Sequence, residues 1–415
     1  MQECGIGKPT ILMLFIIKVL AGVAVGLASH YILNDKTDYY RTNFYGIEEY
    51  HSMLQTPKVF FTDLFTSNYS ERGEFFGSQN SYWNDLRFNI IYKLIAFTNI
   101  FARGNYYVNS LFFNFVSFLS TILLYKVFKD VFPLKKWAVI IGCFLLPSTL
   151  FFGSGIHKDL IVLTSLSVFC YALYFGLKKG FEWRKISFLI LSILTILIVR
   201  NFIAVILLPC AVTWFIGCKY NLSPIKSFAA LIVLGVLGTI MLHTSFKKVD
   251  PLKVVVNKQQ AFFTIGKANT NYKMDTLEPT VKSFVTQAPA ALRHSFLSPY
   301  PTEFNSLFVN LFSVEITIYW LLLFAMLLFQ ERISQNLDAF IIFGITFTFL
   351  IFLFSGYITP AAGALIRYRS IYFPFLIIPI LSCIKLKCIY KRLNIKIKNI
   401  QFILMQIVII SFFVY

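Results

Sequence analysis

The sequence predicts an all-α fold, a polytopic transmembrane helical bundle of about eleven spans with two amphipathic surface helices in its first outer loop. Three observations predict it. The 415 residues are 57% hydrophobic and 18% aromatic but only 14% charged, with mean hydropathy +0.69, unlike a soluble domain. Apolar runs long enough to cross a bilayer recur along nearly the whole chain. The Lys and Arg residues behind the net charge of +19 lie in short stretches between those runs. That is a membrane-topology pattern rather than a nucleic-acid footprint, so membrane lipids are expected partners and nucleic acid is not.

The first span covers Ile11–Leu33. It is too long for a signal-peptide core and has no clear small-residue cleavage site, so a retained helix is expected. A polar segment, residues 34–105, follows and holds eight of the nineteen acidic residues. Within it Phe44–Phe65 and Leu86–Phe101 place apolar residues at helical spacing (Ile47, Tyr50, Leu54; Ile90, Leu94, Phe97, Phe101). Both read as amphipathic helices on the membrane surface, separated by a Ser-, Gly- and Asn-rich loop over Ser67–Asn84. Further spans fit Tyr106–Tyr125, Trp137–Phe152, Leu160–Leu177, Ile186–Val199, Phe202–Gly217 and Ile225–His243. After a second polar segment, residues 244–305, come Ser306–Gln330, Leu337–Tyr357, Ile371–Ile384 and Ile400–Tyr415. The whole, residues 1–415, reads as a single integral membrane domain. Its seven cysteines show neither a disulfide framework nor metal-ligand spacing.

Short-loop basic residues set the orientation. Lys126–Lys136, Lys178–Lys185, Lys219/Lys226, Arg332 and Lys385–Lys398 fall at every second turn and belong on the cytoplasmic side. The N-terminus is then cytoplasmic and the C-terminus extracytoplasmic. Both polar segments, the 153–159 corner, Arg200 and the Arg367-Tyr368-Arg369 loop face outward. Only thirty-three residues separate Lys185 from Lys219, so Arg200-Asn201 is expected at the tip of a shallow hairpin. There Arg200 either meets an anionic partner or water, or snorkels to the interface. Lys18, in the first span, is expected to snorkel.

The residues that can carry chemistry fall in groups. The Gly153-Ser154-Gly155-Ile156-His157-Lys158-Asp159 corner joins two apolar runs in a helical hairpin. Its glycines permit a tight turn and Ser154 can cap the following helix. Cations at a helix N-terminus point to a bound anion; the plainer reading is a surface turn with Lys158 balanced by Asp159. Asp35, Asp38, Glu48 and Glu49 follow the first span, either as a solvated acidic patch or with one carboxylate, Asp38 by preference, serving as a general base. His157, Lys158, Arg200, Arg293, His294, Arg367 and Arg369 are outer-side cations suited to phosphate or to headgroup anchoring. The Arg293–Glu303 stretch, with Pro299 and Pro301, reads as an extended turn at the membrane edge or a rigid connection. Glu315 lies inside a span, where a carboxylate requires a cation, a proton or a polar cavity and can mark a proton relay. No Walker A, GxGxxG, HExxH or GxSxG pattern occurs.

The layout of an acidic residue soon after the first span, two surface helices, a span with Asn109 and Asn114, and the Pro147-Ser148…His157-Lys158-Asp159 hairpin resembles the polyprenol-dependent GT-C membrane glycosyltransferases. The SGIHKD, RHSFLSPYPTEFNS and GALIRYRSIYFPF stretches resemble a group of bacterial multi-pass proteins related to that superfamily, over most of the chain. The resemblance implies sugar transfer on the extracytoplasmic face of a bacterial inner membrane. The donor would be a polyprenyl-phosphate sugar, its phosphate among basic residues, with Asp38 as base by position. Where the superfamily often carries an acidic pair, this chain has Thr37-Asp38-Tyr39. No cofactor is required, and a divalent metal is possible but without support. Two other readings stand beside it: a polymerase or ligase of lipid-linked oligosaccharides, and a transporter or flippase with Glu315 and Arg200 as a buried relay.

Overall fold

A computed structural model describes residues 5–32, 37–66, 81–245, 250–264, 270–329 and 338–384. Asp35, the Lys385–Lys398 cluster, Arg332 and the expected span Ile400–Tyr415 lie outside the described residues. Those described form an all-helical protein without a strand; an isolated bridge pairs Asn271 with Ala361.

In chain order the helices are α1 (Lys8–Leu27), α2 (Asp38–Gln55), α3 (Pro57–Thr66), α4 (Tyr82–Ala102), α5 (Tyr106–Val131) and α6 (Lys136–Ile140). Then come α7 (Pro147–Phe152), α8 (Lys158–Lys179), α9 (Trp183–Val199), α10 (Asn201–Lys219), α11 (Pro224–Ser245) and α12 (Pro251–Thr264). The last five are α13 (Val281–Leu292), α14 (Leu307–Phe329), α15 (Ala339–Ile358), α16 (Ala362–Ser370) and α17 (Phe373–Cys383). Seven of the described helices are long and apolar enough to cross a membrane: α1 with its π-helical extension to Tyr31, α5, α8, α10, α11, α14 and α15. The chain is a multi-pass membrane protein. Helix α11 shows the solvent it is built for: Val233, Leu234, Val236, Leu237 and Met241 are all exposed, as on a lipid-facing helix.

Several expected spans are interrupted, each for a local reason. The run Trp137–Phe152 is not one helix: α6 passes into a π turn, Ile141–Leu145, Leu146 is extended, and α7 starts afresh at Pro147. A residue before proline is pushed out of the helical region, and proline itself is well placed at a helix start. The run Ile371–Ile384 becomes α17, bent by 64° from α16, with Pro374 at its first turn. Arg367-Tyr368-Arg369 is therefore the last turn of α16 rather than a loop. Phe44–Phe65 divides into α2 and α3 at Thr56-Pro57. The second polar segment contains α12 and α13, and α13 runs into a π turn over Arg293–Leu297.

The chain forms two compact units, Met1–Val127 with Leu150–Ala204, and Phe128–Thr149 with Val205–Tyr415. In the first, α2 packs along α4 and α8 along α9. Gly22 and Gly26, one turn apart on α1, sit where a side chain would collide with Ser110 and Asn114, and with Tyr106 and Tyr107, of α5. Small residues at four-residue spacing are the usual means by which membrane helices approach closely. An amide network secures the other side of α5. Asn109 donates to the Asn43 and Asn99 side-chain oxygens at 3.0 and 2.8 Å, and its own oxygen accepts from Thr98 at 2.6 Å. In the second unit α15 is central, packing against α11, α12, α13, α16 and α17. Its Phe340, Phe343 and Phe347 are fully buried, and Phe343 stacks on Trp214 at 4.8 Å.

Candidate functional site

The 153–159 corner is built from both flanks. Gly155 takes a left-handed φ of +81°, which glycine alone adopts without cost. Its amide donates to Asn114 Oδ1 at 3.1 Å. Gly153 accepts at its carbonyl from Lys18 Nζ, 2.7 Å away. Lys18 is thus buried against the corner rather than snorkelling, because α1 packs close enough to bring it there. The cap also differs from expectation. Ser154 Oγ turns back to donate to the Leu150 carbonyl at 2.6 Å, and His157 is the N-cap of α8, its Nδ1 accepting from the Asp159 amide at 3.2 Å.

From this cap a line of polar groups runs through the interior. His157 Nδ1 also lies 2.9 Å from Asp159 Oδ2, and its Nε2 lies 3.5 Å from Asp38 Oδ2. The other oxygen of Asp159 accepts from Arg200 Nη2. Arg200, extended between α9 and α10, thus has its anionic partner in Asp159. The side chains of His157, Asp159 and Arg200 are 2%, 1% and 7% exposed, whereas that of Asp38, at the start of α2, is 49% exposed. The result is a buried Arg–Asp–His chain that ends on an accessible carboxylate. With Nδ1 occupied by Asp159 and Tyr39 packed against the ring at 4.8 Å, the imidazole is held with Nε2 toward Asp38.

Asp38, His157 and Lys158 line a cavity of about 560 Å³, a volume usual for small-molecule sites. Its other acidic lining residues are Glu48, Glu49 and Asp85, and Arg41 joins Lys158 as its second full cation. Tyr45, Phe88 and Tyr92 supply an aromatic wall. Burial, and then the neighbouring Tyr45, push the Tyr92 phenol up to about 12, so it stays a neutral donor. Glu49 is engaged with buried Lys93 at 2.9 Å; Lys93 also reaches Asp63 at 2.8 Å and lies over the Phe60 ring. This cluster clamps α2 and α3 to α4. Sequence reasoning missed Arg41, Tyr45, Asp85, Phe88 and Tyr92, whose shared signal is only an i, i+4 spacing on two helices (41/45 and 88/92).

The remaining expected site residues belong to the second compact unit. Arg369 is 1% exposed and donates through Nη1 to the carbonyls of Ser295 and Ser298. Arg293 Nη2 lies 3.3 Å from His294 Nε2. His294 stacks on Tyr272 at 4.6 Å, and burial, reinforced by Arg293, lowers its pKa to about 4. Arg367 lies 5.5 Å from the ring centre of its neighbour Tyr368. Glu315 is buried in α14, where it accepts from the Ser148 amide at 3.1 Å, from Ser148 Oγ at 3.0 Å and from the Tyr319 hydroxyl. That carboxylate caps the start of α7. Glu303 accepts from the Tyr300 amide at 2.8 Å, closing the turn through Pro301. Among the described residues no group of three or more His, Cys, Asp or Glu is placed to hold a metal ion.

Comparison of the chain with known protein families, with characterised proteins and with solved structures finds no match.

Proposed function

We propose that this protein is an integral membrane glycosyltransferase of GT-C-like layout. It moves a sugar from a polyprenyl-phosphate donor to an envelope glycan or lipid acceptor on the extracytoplasmic face of a bacterial inner membrane. The observation that carries the reading is the Arg200–Asp159–His157 chain ending on Asp38 at the wall of a 560 Å³ cavity.

Glycosyl transfer requires a base at the acceptor hydroxyl and cations at the departing phosphate. Asp38 has the exposure to meet a hydroxyl and a fixed imidazole behind it. Lys158, in the first turn of α8, and Arg41 lie on the same cavity and can neutralise a phosphate. In the reaction the acceptor oxygen bonds to the anomeric carbon, and the bond from that carbon to the phosphate oxygen breaks. The hydroxyl proton passes to Asp38, and polyprenyl phosphate leaves. In the same proposal the N-terminus is cytoplasmic, and α2–α4 lie at the outer surface with the donor lipid tail in the bilayer.

Asp38→Asn keeps the side chain's shape and removes the base. It is expected to cost roughly 100-fold or more in transfer while expression and unfolding stay as in the wild type. Normal transfer by that variant would refute the reading. In a deletion strain, loss of one sugar from an otherwise intact glycan is expected. Accumulation of single repeat units without long chains would identify a polymerase instead.

A further inference from the structure

Arg369, in the second compact unit, is a buried cation that its surroundings only half satisfy. Its Nη1 donates to the carbonyls of Ser295, at 3.0 Å, and Ser298, while Nε and Nη2 are buried with no hydrogen-bond partner. Those two nitrogens form one edge of the planar guanidinium, their N–H bonds side by side. Glu315 is the carboxylate whose field reaches Arg369, but it is engaged with Ser148 and Tyr319. The depth makes an uncompensated charge costly. The Arg293–Leu297 turn that Arg369 braces lies level with the middle of α14, a helix able to cross a membrane, where Trp320 Nε1 donates to the Phe296 carbonyl at 3.2 Å.

More donors stand beside the free edge. The Ser298 and Tyr272 hydroxyls face each other, and Tyr272 lies in the field of Arg369. Two hydroxyls share one bond, so one O–H of the pair is left to donate. His294 stacks on Tyr272 at 4.6 Å. Arg293 can only donate, so His294 Nε2 accepts from it and Nδ1 carries the proton; that Nδ1 too is buried without a partner.

Donors gathered at a buried cation call for an anion. A water would accept from the Arg369 edge but leave its charge uncompensated and bring two donors of its own. The free nitrogens of Arg369 and the Ser298 and Tyr272 hydroxyls are all sealed from bulk water. The space before them therefore suits a particle of about one water's size rather than a phosphoryl or carboxylate group. We propose that the Arg369 edge, with the Ser298 and Tyr272 hydroxyls, holds a dehydrated halide ion that ties the 293–298 turn to α16. The inference is independent of the transferase reading and uses none of its residues.

The test measures thermal unfolding of the full-length protein in detergent micelles, in sodium chloride, bromide or gluconate at equal ionic strength. Chloride and bromide should raise the midpoint above that in gluconate and saturate with concentration, as a ligand of the folded state does. Arg369→Met should abolish the response. The double variant Tyr272→Phe/Ser298→Ala, which keeps the shape and the cation, should need about tenfold more chloride for the same rise; it carries the test if Arg369→Met does not fold. In crystals grown with bromide, an anomalous peak is expected against Arg369 Nε and Nη2. Equal midpoints in chloride and gluconate, with a water sufficing at the edge, would overturn the proposal. So would an unchanged chloride response in the double variant, a bromide peak only elsewhere, or sodium phosphate or acetate stabilising as well as chloride, which would make the site one for oxyanions.

Discussion

Arg200→Met removes the guanidinium that faces Asp159 and fills its volume with an apolar chain. Asp159 then remains at 1% exposure with its carboxylate beside His157 and without the Arg200 guanidinium. Unit charges in contact at an effective dielectric near 20 attract by about 4 kcal/mol. Removing one member of a buried pair costs about 3–5 kcal/mol, because the survivor keeps its desolvation penalty. A loss of that size is expected for the compact unit holding α1–α4, α8 and α9, read as a shift in the denaturant midpoint of protein in detergent micelles. Arg200→Met combined with Asp159→Leu removes both charges and should recover most of the lost stability. Transfer should not recover, since the Asp159 carboxylate no longer holds the His157 ring at Nδ1. A loss below about 1 kcal/mol for Arg200→Met, the scale of an exposed pair, would refute the buried chain. Restored transfer in the double variant would refute its orienting role.

Three further outcomes are expected. Lys18→Met leaves the Gly153 carbonyl buried without its donor, which should cost about 1–3 kcal/mol and lower transfer by loosening the corner; unchanged stability and activity would count against the pin. Gly155→Ala forces a side chain into a φ of +81° with the Tyr106 hydroxyl 2.9 Å from its new carbon, so about 1–2 kcal/mol of strain should appear as a lower unfolding midpoint. His294 has a folded value near 4 against 6.5 in the unfolded chain. Its unfolded form binds the proton first, so stability present above pH 6.5 should be lost as pH falls toward 4. His294→Phe should flatten that part of the pH–stability curve, and an unchanged curve would exclude His294 as its source.

The class of this protein was readable from the chain alone. Hydropathy is a sum over neighbours in sequence, and a bilayer tolerates only segments that satisfy their own backbone, so long apolar runs such as those of α5, α8 and α15 declare themselves as helices. The Gly-Ser-Gly-Ile-His-Lys-Asp corner also stood out, because glycines and cations are out of place between apolar runs. Where the runs break was less visible: Pro147 divides a stretch whose hydropathy never falls. The pairings needed the tertiary structure. Lys18 meets Gly153 across 135 residues and Arg200 meets Asp159 across 41. Periodicity can say which face of a helix is polar. It cannot say which distant helix brings the opposite charge, because that depends on how closely side chains let two helices approach. The approach of α1 to α5 is set by Gly22 and Gly26, and that of α2 to α4 by Gly46, where a side chain would collide with Ile95.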